Sequence, residues 1–145
     1  MKKARSQRGT GLIELALLFT TLMLLLLGVV DFALAIQAQM VVSEAACAGA
    51  HYGEFQGTSP NTTMMQTVAT NAAGGISGFS ALATKWCACS SGGTAVSCSA
   101  TCGSSTYGPI VYVQVVTSAT ASLLFKYTGI PLTVPLSGVC ILRVQ

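Results

Sequence analysis

Between Leu15 and Ile36 the chain runs for 22 residues interrupted only by Thr20, Thr21, Gly28 and Asp31. A run that apolar folds as a helix about 33 Å long, which matches the hydrocarbon thickness of a bilayer. Lys2, Lys3, Arg5 and Arg8 precede it, and Gly9 and Glu14 stand at its start. Basic residues ahead of a first span hold that end in the cytoplasm. A carboxylate at the mouth of a hydrocarbon span is expensive and needs a partner or a purpose. Three readings fit such a run: a span kept after loss of the short basic leader, a secretory signal cut after Ala33-Leu34-Ala35, or an uncleaved signal anchor. Only the first gives Glu14, five positions beyond Gly9, a role.

The formal charge of +3 is a topology signal, since four of the seven basic residues lie in the leader. Beyond it Lys85, Lys126 and Arg143 face Glu14, Asp31, Glu44 and Glu54, a net charge of −1. That removes the electrostatic footing for nucleic-acid binding.

Nothing breaks the helix at Ile36. Ala38, Val41, Val42, Ala45, Ala46, Gly49 and Tyr52 fall on one helical face, so a single helix is expected from about Gly11 to Tyr52, ended by Gly53 and Gly57. Thr62 to Ala73 reads as a second, short helix with Met65, Val68, Ala69 and Ala72 inward, stopped by Gly74-Gly75. Four strands are expected after it: Ala81–Cys89, Ala95–Cys102, the β-branched run from Ile110 to Val116, and Leu132–Val144 with Pro135 at an edge or bulge. The fold class is therefore α+β: a long N-terminal helix, half membrane and half amphipathic, carrying a small antiparallel β outer domain. The boundaries are a leader over 1–9, the span and stalk over 10–53, and the head over 54–145.

The order Gly9, Glu14, apolar run, Gly28-x-x-Asp31, Ala45-Ala46 and Gly49-Ala50 resembles the TadE-like pseudopilins, minor subunits or assembly factors of tight-adherence (Flp, type IVb) pili. The likeness is tightest over residues 8–53 and looser beyond. It implies that a prepilin peptidase cuts between Gly9 and Thr10. Glu14 then becomes the fifth mature residue and neutralises the new amine of a neighbouring subunit, since two charges in a low-dielectric layer are tolerable only when paired. It further implies other pilins and the inner-membrane assembly machinery as partners, with membrane lipid around the helix. The protein would be single-pass in a bacterial inner membrane, head outside, and could reach the pilus or cell surface after assembly. The chain departs from many relatives in having Leu15 after the Glu, Thr20 in place of Pro and Leu34 in place of Arg. It also reads Ala45-Ala46-Cys47-Ala48-Gly49-Ala50-His51 where charged residues are common.

An outer domain of about 90 residues, rich in Gly, Ser and Thr, needs staples. Cys87, Cys89, Cys98 and Cys102 have spacings unlike structural zinc sites, and outside the inner membrane thiols are oxidised. A hairpin turning near Gly92-Gly93 favours nested pairs, Cys89 with Cys98 and Cys87 with Cys102, with the other connectivities open. Cys47 and Cys140 remain and are expected to pair, although Cys47 lies off the small-residue face.

Asp31 either contacts another subunit or sits at the hydrocarbon edge. It is 17 residues from Glu14, about 25 Å away and about 100° around the helix, so the two acids need different partners. His51 reads as a surface residue, Glu44 and Glu54 as solvated, and Trp86 and the tyrosines as core or edge residues. No serine has a triad pair and no phosphate loop is present, so no enzyme, cofactor or metal is expected. The expected function is a pseudopilin that helps assemble or prime a tight-adherence pilus. The rivals are a Cys-stapled surface-binding module, secreted or membrane-anchored, and a type II secretion pseudopilin.

Overall fold

The computed structural model describes residues 10–103, 108–125, 129 and 131–144. Gly9 and the basic leader fall outside them, as does the side chain of Thr10. One helix, α1 (Thr10–Phe55), is followed by α2 (Thr62–Ala72) and strands β1 (Ser80–Ala88), β2 (Ala95–Val96), β3 (Ile110–Ser122) and β4 (Thr133–Val144). The strands form one antiparallel sheet in the order β2-β1-β3-β4. Pro135 lies on the edge strand β4, where its missing N–H breaks no ladder.

The C-terminal half of α1 lies across one face of the sheet. Val42, Ala45, Ala46 and Ala50 are buried there against Val113, Val115, Ala119, Leu136 and Val144. Strand alternation supplies the opposing surface: the even positions of β4 from Val134 to Val144 and the odd positions of β3 turn toward the helix. Helix α2 closes the other flank with Met65, Ala69 and Ala73, spaced i, i+4, i+8. Ala72 is exposed, contrary to expectation, because Ala73 takes the inward place. Asn61 starts α2, its side chain accepting from the Met64 amide at 3.2 Å.

Small residues decide how close these elements come. A Cβ at Gly49 would stand 2.7 Å from the Met65 carbonyl oxygen and 3.1 Å from the Ala69 Cβ. At Gly138 it would meet the Val42 oxygen at 2.8 Å and the Ser43 Cα at 2.9 Å. The backbone of α1 thus rests on α2 on one side and on β4 on the other. Gly53 does not end α1. It is buried within the helix, where a Cβ would stand 2.7 Å from the Met65 Sδ, and Phe55 is the last helical residue. Gly57, at φ +70°, turns the chain away.

Two polar contacts lock the crossing. The Thr117 hydroxyl, fully buried, donates to the Val42 carbonyl at 2.8 Å, and Gln39 Nε2 donates to the Ser137 carbonyl at 2.7 Å. Gln39, Ser43 and Cys47 form an i, i+4, i+8 row along β4, and Cys47 is bonded to Cys140 at its end, with Cα atoms 5.0 Å apart. The buried arc of α1 is therefore wider than the small-residue stripe, which explains how an off-stripe cysteine reaches the sheet.

The other cysteines differ from the nested expectation. Cys87 is bonded to Cys98 and Cys89 to Cys102, a crossed pattern in sequence. Register is the reason. Cys87 lies opposite Val96 and Ala88 opposite Ala95, which leaves Cys98 two residues past the partner of Cys87 and puts Cys89 beyond the pairing. The second strand stops at Val96 rather than Cys102, and a turn closed by Ala100 N–H to Ser97 O bends Cys98 back to Cys87.

Candidate functional site

The N-terminal half of α1, apart from the turn around Asp31, is exposed. Leu12, Ile13, Leu15, Leu17, Leu18, Leu24, Leu25, Val29 and Phe32 are all exposed on every side of the helix. No soluble fold leaves such a surface in water, and α1 is long and apolar enough to cross a bilayer. A single membrane anchor at the N-terminal end accounts for it. Thr20 and Thr21 turn their hydroxyls back to the Leu17 carbonyl, at 2.9 and 3.0 Å, which hides their polarity from lipid.

Glu14 lies on this bare segment and is exposed among the described residues. Asp31 is different. It is 4 % exposed, and its carboxylate accepts the amide of Leu124 at 2.9 Å through Oδ1 and that of Phe125 at 3.3 Å through Oδ2. The partner that the sequence left open is thus the β3–β4 connection of the same chain. Of the two acids, only Asp31 is held by its own fold among the described residues.

On the head, the sheet face away from α1 carries a cross-strand row, Leu82 opposite Val116 opposite Val139, with Ile141 beside it. Leu82 and Val139 are more than half exposed. Next along that face Trp86 and Tyr112 stack, ring centroids 4.5 Å apart at 13°. A shallow depression of about 520 Å³ lies between Thr58, Pro109, Val111 and Arg143. His51 Nδ1 lies 3.2 Å from Glu54 Oε2 on the exposed side of α1, a surface pair. Among the described residues no group of three His, Cys, Asp or Glu side chains is placed to hold a metal ion.

A bare apolar helix running unbroken into a small disulfide-stapled α+β head is the form of a single-pass, helix-anchored protein, and α1 has the length and apolarity to cross a membrane. The family model described as "TadE-like protein" matches residues 9–51, so the N-terminal segment, through most of α1, is TadE-like. No curated protein and no solved structure matches the chain. The matched segment holds Glu14, Asp31 and the helix face that packs on the head, and it stops before α2.

The sequence pointed to Gly9, Thr10, Glu14 and Asp31. Its reading missed the amides of Leu124 and Phe125 as the other half of the Asp31 contact. The signal was there in part: an acid inside an apolar run requires donors, and a backbone turn is the cheapest source of two.

Proposed function

We propose that this chain is a membrane-anchored minor pilin that takes part in assembling or priming a tight-adherence (Flp, type IVb) pilus. The observation that carries the reading is the TadE-like match over residues 9–51, laid on a helix whose membrane half is exposed and apolar except at Asp31, which the β3–β4 connection covers. A prepilin peptidase removes residues 1–9, leaving the α-amino group on Thr10. Glu14 then lies one helical turn from that terminus, exposed and unclaimed by the head, free to pair with the amine of an adjoining subunit. The helix is the surface on which other pilins register, and the head stands outside the inner membrane. The Cys-stapled head keeps its shape as the subunit leaves lipid for a fibre.

The test is intact mass of the membrane-extracted protein made with and without a prepilin peptidase, together with piliation of Gly9→Ala and Glu14→Ala strains. Peptidase-dependent loss of residues 1–9 and a piliation defect in both variants are expected. A mature chain beginning at Ile36, or normal pili in both variants, refutes the reading.

A further inference from the structure

We propose that the two ends of the β3–β4 connection form a second membrane contact: Leu124, Phe125 and Leu132 sit in the outer boundary of the lipid bilayer, fastened there by Asp31. The proposal rests on the membrane-anchored reading of α1.

Height comes first. Leu12 to Ile36 is an exposed apolar band about 36 Å long at 1.5 Å per residue, against about 30 Å of hydrocarbon. Centred on the bilayer, that band puts Asp31 a few ångströms inside the hydrocarbon edge. Ile36 and Met40, one and two to three turns higher, are still exposed. The two hydrogen bonds from Leu124 and Phe125 hold the connection at the level of Asp31, beside the apolar band rather than above it.

Polar satisfaction comes second. Backbone can enter lipid only where its N–H groups find partners inside the protein. Here the Leu123 amide donates to the Leu132 carbonyl at 2.9 Å, and the next two amides donate to Asp31. Three consecutive N–H groups are thereby closed, and the carboxylate receives the donors that water would otherwise supply. Neither partner would suit a bilayer edge alone; together they do.

The side chains complete the surface. Leu124 is 65 %, Leu132 48 % and Phe125 39 % exposed, on backbone that the Leu123–Leu132 and Asp31 hydrogen bonds hold beside the exposed helix. Aromatic and aliphatic groups at that depth favour the interface, and their burial there adds to anchoring.

The full chain is reconstituted at one copy per nanodisc of phosphatidylethanolamine and phosphatidylglycerol, so that no second copy can cover the connection. Single-tryptophan reporters are made in a Trp86→Phe background: Phe125→Trp, Leu124→Trp, Leu22→Trp within the span, and Phe55→Trp at the far, exposed end of α1. Quenching by lipids brominated high on the acyl chain should be several-fold stronger for Phe125→Trp and Leu124→Trp than for Phe55→Trp, and acrylamide quenching should follow the reverse order. Adding Asp31→Leu should reduce the lipid quenching of Phe125→Trp at least twofold. Quenching at both connection reporters equal to that of Phe55→Trp, with Leu22→Trp quenched, overturns the proposal and leaves the anchor standing. An unquenched Leu22→Trp overturns both. Unchanged quenching in Asp31→Leu removes the carboxylate from the proposal and refutes it as stated.

Discussion

Replacing Gly49 by alanine separates the two forces that act on a packed helix. In an isolated helix the change gains about 1 kcal/mol of propensity. In this head the new Cβ stands 2.7 Å from the Met65 carbonyl oxygen and 3.1 Å from the Ala69 Cβ. The nearer atom is backbone, so relief requires α2 to move outward by roughly half an ångström, which forfeits part of every contact Met65 and Ala69 make. Overpacking of this kind costs about 1–3 kcal/mol. The net is a loss of up to about 2 kcal/mol, or up to roughly 8–16 °C in Tm for a head of this size. Gly53→Ala is the internal control, because its Cβ meets the Met65 side chain and no backbone atom, so a rotamer change rather than a helix shift relieves it. That variant should lie within about 0.5 kcal/mol of the parent. The assay is thermal unfolding of the full chain in detergent, followed by near-UV circular dichroism of the Trp86–Tyr112 stack. A Gly49→Ala protein at least as stable as the parent, or one indistinguishable from Gly53→Ala, would refute the idea that α1 and α2 touch through backbone.

Three further outcomes are expected. Peptide mapping without reduction should recover Cys87 joined to Cys98, Cys89 to Cys102 and Cys47 to Cys140, and a nested pair would refute the observed register; Cys47→Ser should cost about 4–5 kcal/mol on chain entropy, against about 3 for either short loop. Thr117→Val keeps the shape but removes the donor to Val42, so it should lower stability by about 1 kcal/mol while Thr117→Ser keeps the hydrogen bond; equal loss in both would assign the effect to packing instead. Asn61→Ala should cost about 1 kcal/mol through loss of the α2 cap, read as faster amide exchange at Met64, and unchanged exchange there would exclude the cap.

The helical part was legible because its signals are local. The span, the small-residue stripe from Ala38 to Gly49 and the Gly74-Gly75 stop of α2 lie within a few turns of the residues they organise. The strands from Ser80, Ile110 and Thr133 were likewise announced by β-branched runs and alternation. What failed was register. The nested disulfides followed from a hairpin turning near Gly92-Gly93, and the true pairing depends on where the 87–96 ladder stops, which no cysteine spacing encodes. Gly53 was read as a terminator because a helical glycine near an end looks the same whether it stops the helix or admits a neighbour. The Asp31 contact joins residues more than 90 positions apart, and only the sheet's geometry brings them together.

The bond between Cys47 and Cys140 also fixes the route that tension takes through the molecule. A load applied at the C-terminal end of β4 and held at the membrane passes from Cys140 directly into α1. Helix α2, the first three strands and their turns hang outside that covalent path as an unloaded loop. Pulled along this axis, the protein can pay out only the few residues beyond Cys140 and the turns of α1 between the membrane and Cys47. A subunit wired this way keeps the rest of its head out of the load path, whatever the stability of that head.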